Sequence, residues 1–416
     1  MAKFEENVFN YMEEHSETRY ENYDLLDFLD KIKFKFTRPF IHVTGTNGKG
    51  SICNYLNNIY VAAGYKVGLF STPYFSNMCE SIKINNVDIN EEKIQEVYEK
   101  YIKEINKFEL SKFELLTFVM FYYFEEQKVD LAVIEVCMGG EFDATNIEEA
   151  PVLAIINNVG IDHSDYLGKS ISEIAQTKAG IIKYGGKVLV NILNDDAKSV
   201  VENVVKANKA DLHYVNEFYR YGISTEGKLY VGYYPYGDFV VNTTSIIQRE
   251  NVACAIEATL LLNKEFPVSA ENIKEGLLKD GLQGRFSLFT KGNKIIIVDG
   301  AHNPDGMESL TKSLNYIKGS FKTTAIVGVF RDKNIEKMLA ILGQNVDSII
   351  LTTFDHPRAR TEEEFILFTE EYEFAGSYIN KVKELLTGEE PEIILITGSL
   401  YFARLAIDEL KSNGVI

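Results

Sequence analysis

The stretch that most limits what this chain can become is Gly45-Thr46-Asn47-Gly48-Lys49-Gly50-Ser51, set between an apolar run (Phe40, Ile41, Val43) and a helical pattern that begins near Ser51. Glycines let the backbone turn tightly and aim successive N–H groups at one anion. The following helix adds its N-terminal dipole, and Lys49 adds a full positive charge. These residues read as a phosphate loop, although a glycine turn joining strand to helix is the plainer alternative for the stretch taken alone. Its spacing departs from G-x-x-x-x-G-K-[ST]: the first Gly would fall at Val43, and Gly50 separates Lys49 from Ser51.

The surroundings supply the rest of a parallel unit. After the loop, Ile52, Tyr55, Leu56, Ile59 and Tyr60 share one helical face that ends at Gly64, and residues 66–70 read as a strand. Helical patterns follow at 91–108 and 113–126, the second rich in aromatic residues suited to a core. Val129 to Val136 is a nearly unbroken apolar run of the kind found in a parallel strand covered on both faces, and it contains one charge near its end, Glu135. Further strands are expected at 151–156, 187–190 and 212–215, with helices at 171–182 and 195–208 between them. Antiparallel hairpins are expected between 218 and 247. Helices at 248–262 and 269–278 then lead to a glycine-spaced stretch (Gly281, Gly284, Gly292), which reads as a domain boundary. From residue 294 strands and helices alternate again to the end, predicting a second, smaller α/β domain.

Three further stretches have chemistry of their own. Glu135 ends an apolar strand, where a carboxylate is costly unless paired or bound to metal, and strand ends are where parallel sheets collect ligands. Asp162-His163 and Lys178 follow the next strand, and neither stands out alone. Asp299-Gly300-Ala301-His302-Asn303-Pro304 sits at the end of strand 294–298, where a nucleotide crevice and an Asp-Gly turn with a helix cap at Asn303 are equally good local readings.

Taken in order, these motifs resemble those of the folylpolyglutamate synthase and dihydrofolate synthase family, in the wider Mur-ligase group. His42 to Ser51 is similar to its phosphate loop, Glu135 to Asn146 to its E-V-x-x-G-G-x-x-D-A-T-N segment, and Asp162-His163 with Leu167-Gly168 to its metal loop. Lys178-Ala179-Gly180-Ile181 resembles the segment with a carbamylated lysine, Gly284-Arg285-Phe286 a P-G-R stretch, and Asp299 to Pro304 the D-G-A-H-N-P motif. Pro357-Arg358-Ala359 and Thr397-Gly398-Ser399-Leu400-Tyr401 close the series.

The resemblance implies an N-terminal P-loop NTPase-like Mur-ligase domain with a mainly parallel sheet (1–284), a linker (285–293) and a Rossmann-like domain (294–416), with ATP between the two. It implies an ADP-forming ligase that joins L-glutamate to a folate-type acid through an acyl phosphate. The expected nucleotide contacts are Thr46, Asn47, Gly48, Lys49, Gly50, Ser51, Asn251, Arg285 and Asp299. Thr72 and Glu135 are expected on a first Mg2+, His163 and a carbamylated Lys178 on a second, His302 beside the transferred phosphoryl group, and Phe113, Glu114, Phe142, Asp143 and Ala144 at the acid substrate. Three stretches depart from the pattern: Glu141 replaces an Arg, Thr72-Pro73-Tyr74 replaces Ser-Pro-His, and Gln283 replaces the Pro before Gly-Arg. Glu141 reverses a charge near the expected acid, so a related ligase with a non-folate acid, or a nucleotide-binding regulator without ligase activity, are the alternatives.

Composition narrows the partners. With 61 acidic against 43 basic residues the net charge is −18, which argues against a nucleic-acid partner. Four cysteines without C-x-x-C spacing, and no apolar run near the ~18 residues of a spanning helix, fit a cytoplasmic chain without membrane anchorage. A monomer acting on small molecules is expected.

Overall fold

The computed structural model describes residues 7–416, apart from 17–18, 20–21, 74–76, 217–218, 225–226, 235, 280, 282 and 369. Its larger sheet contains β1 (Phe40–Thr44), β2 (Val67–Phe70), β3 (Ile82–Ile84), β4 (Val87–Asp88), β5 (Leu131–Glu135), β6 (Leu153–Asn158), β7 (Lys187–Ile192) and β8 (Asp211–Tyr214). Their order is β4-β3-β2-β5-β1-β6-β7-β8. Pairing is parallel from β2 across to β8, and β3 and β4 extend the β2 edge in antiparallel fashion. β1 and β5 are buried at every position, as unbroken apolar strands must be when helices cover both faces.

Two helical layers provide that cover. Helix Lys49–Ala62 packs against β2 and β5 and against helix Ala270–Leu278. Gly276 permits the second contact, since a Cβ there would lie 2.6 Å from the Ile59 backbone. The aromatic helix Lys112–Glu126 belongs to a core with Val8, Phe28, Phe40, Phe70 and Ile134, in which Phe118, Phe121 and Phe124 are fully buried. The Phe28 and Phe118 rings meet edge to face at 4.8 Å, a geometry that adds about 1 kcal/mol beyond area burial. These three aromatic residues are therefore core, as the helix pattern predicts.

A second sheet runs β12 (Ser287–Lys291), β13 (Lys294–Val298), β17 (Glu392–Thr397), β14 (Lys322–Val327), β15 (Ser348–Thr352) and β16 (Glu373–Ala375); β9 (Tyr219–Ile223), β10 (Leu229–Tyr233) and β11 (Gly237–Val241) form a third. The chain divides into two compact units: Met1–Tyr219, Tyr233–Gly237 and Glu250–Lys279 in one, and Arg220–Gly232, Asp238–Arg249 and Asp280–Ile416 in the other. This differs from the boundaries read in the sequence. Residues 285–293 are not a linker, because β12 pairs antiparallel with β13 across a turn at Gly292 (φ 61) and is the edge of the second unit's sheet. Most of the hairpin region also groups with that unit. Among the described residues no helix is long and apolar enough to cross a membrane.

Candidate active site

Strand register brings four chain ends to one edge. Val43 pairs with Glu135, Thr44 with Ile156 and Phe70 with Ile134, so β1, β2, β5 and β6 release their loops side by side at their carboxyl ends. The phosphate loop leaves β1. Gly48 caps the helix Lys49–Ala62 in the left-handed region (φ 81), and its start has no side-chain cap, an arrangement that suits an anion at the helix N-terminus. Lys49 folds back over the loop, its Nζ donating to the carbonyls of Gly45 (3.0 Å) and Thr46 (3.4 Å).

Asparagines hold the loop's shape. Asn158, the last residue of β6, accepts at Oδ1 from the N–H groups of Thr46 (3.0 Å) and Asn47 (2.8 Å), and its Nδ2 donates to the Asn47 carbonyl (3.1 Å). Thr46 Oγ1 accepts from the Gly160 N–H (2.9 Å). Asn157 Nδ2 donates to the Asn47 carbonyl (2.7 Å) and to Asn251 Oδ1 (3.2 Å), and its Oδ1 accepts from Asn191 (2.7 Å). Of the four supporting asparagines, 157, 158, 191 and 251, only Asn251 belongs to the sequence-based site. A polar residue at a strand end has no periodic signal, and a run such as Asn157-Asn158 reads as the start of a loop.

Glu135 is 4 % exposed, and its Oε2 accepts from the Ser71 hydroxyl and from the Thr72 backbone N–H at 3.0 Å. The hydroxyl that reaches the carboxylate is thus that of Ser71, with Thr72 adding its N–H. Cys137, in the loop that follows β5, is exposed. Among the described residues no three His, Cys, Asp or Glu side chains gather as a metal cage. One buried carboxylate with a nearby hydroxyl still suits Mg2+, a hard ion that binds through one or two carboxylates and completes its shell with phosphate oxygens and water.

Lys178 lies in the last turn of the helix Ile171–Ala179 and is 3 % exposed. Burial drives its amine well below the usual lysine value, Lys49 pushes the same way, and Asp162 and Asp143 oppose them. His163 is exposed, in a left-handed conformation (φ 49) at the start of the short helix Ser164–Leu167. From this loop the charge felt by Lys178 is that of Asp162, which the sequence-based site omits. Gly140 and Gly180 fit the surrounding loops together, since a Cβ would lie 2.8 Å from the Lys178 carbonyl at one and 2.4 Å from Glu141 Cβ at the other. Glu141 itself is exposed.

The loop after β5 is organised from within. Asp143 accepts from the Met138 N–H (2.8 Å), the Thr145 N–H (3.0 Å) and the Thr145 hydroxyl (2.5 Å), while burial pushes its carboxyl up. Thr145 also meets His42 Nε2 (2.8 Å), whose ring burial holds down to about 3. Glu114 is buried as well: it accepts from the Ser111 N–H (2.9 Å) and hydroxyl (2.7 Å) as the capping box of its helix, and from the Leu25 N–H (3.3 Å). Glu114, Asp143 and Ala144, among the residues expected at the acid substrate, are buried, and the carboxylates of the first two are bonded within the fold. Phe142 and Phe113 are only half-buried. Phe142 lies edge-on to the exposed Tyr23 (6.2 Å), an aromatic partner absent from the sequence-based site, and Phe113 packs on Phe70 (6.1 Å). Tyr74 lies outside the described residues.

In the second unit, Asp299 follows β13 and accepts from the N–H groups of Phe286 (2.8 Å) and Ala301 (2.8 Å). Burial pushes its carboxyl up against the pull of the neighbouring Arg285, whose buried Nε has no hydrogen-bond partner among the described residues. His302 donates from Nδ1 to the Gly300 carbonyl (2.9 Å), and Asn303 caps the helix Pro304–Ile317 through the Gly306 N–H (2.7 Å). The helix cap at Asn303 is therefore present, and Asp299 holds the loop after β13 through two backbone N–H groups.

Models of the Mur ligase middle domain and of the Mur ligase glutamate ligase domain match residues 43–231 and 284–400, respectively. The dihydrofolate synthase/folylpolyglutamate synthase of Bacillus subtilis is 31% identical over 386 residues, spanning 87% of this chain and 88% of that one. The chain belongs to the dihydrofolate synthase/folylpolyglutamate synthase family. As a member it is an ATP-dependent ligase with the two-part α/β architecture of the Mur group. The folylpolyglutamate synthase of Lacticaseibacillus casei is 31% identical over 388 residues, 88% of each chain. A folylpolyglutamate synthase solved with the ATP analogue AMPPCP superposes with a TM-score of 0.83 at 27% identity, covering 97% of this chain and 100% of that one. That enzyme binds the triphosphate analogue.

Proposed function

We propose that this family member uses ATP to join L-glutamate to the carboxylate of a folate-type acid, with ADP and phosphate as the other products. A substrate carboxylate oxygen attacks the γ-phosphorus and ADP departs. The glutamate amine then attacks the acyl phosphate carbon, phosphate leaves with the electron pair of the C–O bond, and the amine gives up its proton. Nothing in this sequence of steps requires a protein nucleophile. The work of the chain is positioning and charge compensation.

The loop from Thr46 to Ser51 holds the triphosphate, with Lys49 and the helix N-terminus facing its charge. Asn251, Arg285 and Asp299 contact the nucleotide, and His302 serves the transferred group. Glu135 and Thr72, joined by Ser71, would hold one Mg2+, which would supply charge neutralisation at the phosphoryl oxygens. His163 and Lys178 would hold a second Mg2+. Carbon dioxide adds only to a neutral amine, the form that burial favours at Lys178, so a carbamate formed there would be the anionic ligand. Phe113 and Phe142 face the acid substrate. We further propose that the enzyme is a cytoplasmic monomer.

The observation that carries this reading is a phosphate loop whose neighbouring strand ends in the buried carboxylate of Glu135. Phosphate release with glutamate and either dihydropteroate or tetrahydrofolate tests it. Turnover with one of the two is expected, and Lys49→Ala lowers it by at least about 10²-fold, as loss of a charge-stabilising donor does. No turnover with either acid defeats the folate assignment and favours the non-folate ligase suggested by the exposed Glu141. ATP binding without turnover on any acid would instead favour a regulator.

A further inference from the structure

Asn157 is 1 % exposed, yet it touches three separate segments beyond its own strand. Its amide donates to the carbonyl of Asn47 in the phosphate loop and to Asn251 on the helix Gln248–Leu261, and it accepts from Asn191 on β7. The orientation of the amides is set by their partners. The Asn47 carbonyl can only accept, so the atom 2.7 Å away is Nδ2. The Glu250 carbonyl fixes Asn191 Nδ2 in the same way, at 3.2 Å, so Asn157 presents Oδ1 to Asn191. Donors and acceptors along Asn191, Asn157 and Asn47 therefore run in one sense, and turning the Asn157 amide over breaks the bonds on both sides of it.

Gly48 ties this chain of bonds to the loop sterically. A Cβ there would lie 2.3 Å from Asn251 Oδ1 and 2.6 Å from Asn157 Nδ2, so the loop backbone rests directly on both amides. Any shift of the Asn251 side chain must be met by Asn157 and passed to the Asn47 peptide.

We propose that Asn157 is a positioning residue that couples Asn251 to the phosphate loop, so that the side chain of Asn251 helps set the loop's grip on phosphate without touching it. The inference rests on the reading of residues 45–51 as the triphosphate site. Inorganic tripolyphosphate is the suitable probe, because it has the phosphates and no nucleoside for Asn251 to contact.

The experiment is calorimetric titration of tripolyphosphate with Mg2+ into the wild-type chain, Asn157→Ala, Asn251→Ala and the double variant. Each single change is expected to weaken binding by about five- to tenfold, the effect of leaving a buried partner unpaired. The double variant is expected to bind no more weakly than the worse single one, because the two act along one line. Independent, multiplying effects of the two substitutions would overturn the coupling, as would an Asn251→Ala affinity equal to wild type. Should Asn157→Ala fail to fold, Asn191→Ala replaces it. That change releases the amide from a site remote from the loop and is expected to weaken tripolyphosphate binding about threefold, whereas unchanged affinity overturns the proposal. Lys49→Ala keeps the two readings apart: if it binds tripolyphosphate as well as wild type, the phosphate-loop reading has failed, whatever the asparagine variants do.

Discussion

The asparagine scaffold predicts a specific response to one methyl group at Gly48. Two costs arise in Gly48→Ala. The first is local, because φ is +81 there, and an L-residue in the left-handed region costs roughly 1–2 kcal/mol. The second comes from contacts at 2.3 Å with Asn251 Oδ1 and 2.6 Å with Asn157 Nδ2, each well inside van der Waals distance. Relieving them means moving both amides and giving up the Asn157–Asn251 bond, the Asn157–Asn47 bond, or both. One or two buried bonds left unmade add about 2–3 kcal/mol, for a total of about 3–5 kcal/mol. Gly64→Ala separates the two costs, since its φ is +89 and a Cβ there meets nothing within 4 Å. It should show the backbone cost alone. Urea unfolding of both variants, with ATP titration of each, should place Gly48→Ala about 2–3 kcal/mol beyond Gly64→Ala, divided between stability and ATP affinity. Equal effects of the two substitutions would mean that the asparagines do not buttress the loop.

The remaining predictions concern buried charges. In Lys178→Met a neutral side chain of similar length replaces an amine whose folded pKa is depressed. Between the folded and unfolded pKa values the unfolded lysine binds more protons, so wild-type stability rises with pH and the burden of this lysine grows as pH falls. Unfolding of the unliganded variant should therefore show a gain over wild type that increases toward lower pH, together with loss of amide formation. A gain that shrank on acidification would contradict the depressed amine. Glu135→Gln keeps the shape and an acceptor for Ser71 but removes the charge. It should lower turnover by about 10²-fold or more and raise the Mg2+ concentration needed, and an unchanged Mg2+ dependence would remove Glu135 from the metal. Lys294→Met strands Glu392 in the second sheet, where the pair sits 3.2 Å apart and almost fully buried, with Thr324 as another donor to the carboxylate. Chemical denaturation should register a loss of about 3–5 kcal/mol, much of it recovered when Glu392→Gln is added.

What the sequence conveyed, and what it did not, follows from the kind of signal each feature leaves. Apolar strands such as Leu131–Glu135 and Glu392–Thr397 and the amphipathic helix Glu91–Phe108 stand out because burial imposes a pattern over many residues. The strand Ser287–Lys291 is an edge strand paired on one side, polar at its end and turned by Gly292, so it reads as a linker. Ser71 and Thr72 are adjacent hydroxyls just past a strand end, where side chains alternate in direction, and sequence alone does not say which of them reaches Glu135. Glu114 is a different case. Ser111-Lys112-Phe113-Glu114 spells a capping box, which accounts for the carboxylate without any substrate. Asp143 and Thr145 likewise belong to a motif whose order is set by its own internal bonds, so a family pattern there marks loop architecture as readily as ligand contact.

The chemistry of the loop's supports bears on how the proposed transfer would work. Thr46 and Asn47 point their N–H groups at a neutral amide oxygen of Asn158, and Lys49 bonds to two carbonyls, so protein groups alone fix the shape of the turn. Carboxylates in those buttressing positions could accept the same N–H groups, but they would place negative charge beside an incoming triphosphate in a chain whose net charge is already −18. Amides hold the backbone at no such cost, and they leave the positive end of the helix Lys49–Ala62 to the phosphates. The fixed negative charge at this edge belongs instead to Glu135 and to Asp143 and Asp162 in the loops after β5 and β6, opposite the basic groups Lys49 and Lys178. A loop shaped in advance by neutral groups needs little rearrangement as charge moves from the γ-phosphate toward the departing ADP, which is where preorganisation lowers a barrier. The substitution Asn158→Asp tests the argument: both N–H groups of the turn keep an acceptor, the Asn47 carbonyl loses the Asn158 amide but keeps Asn157 as its donor, and ATP affinity should fall by about tenfold or more through repulsion at short range. If Asn158→Asp bound ATP as tightly as wild type, the neutrality of the support would have no bearing on phosphate binding.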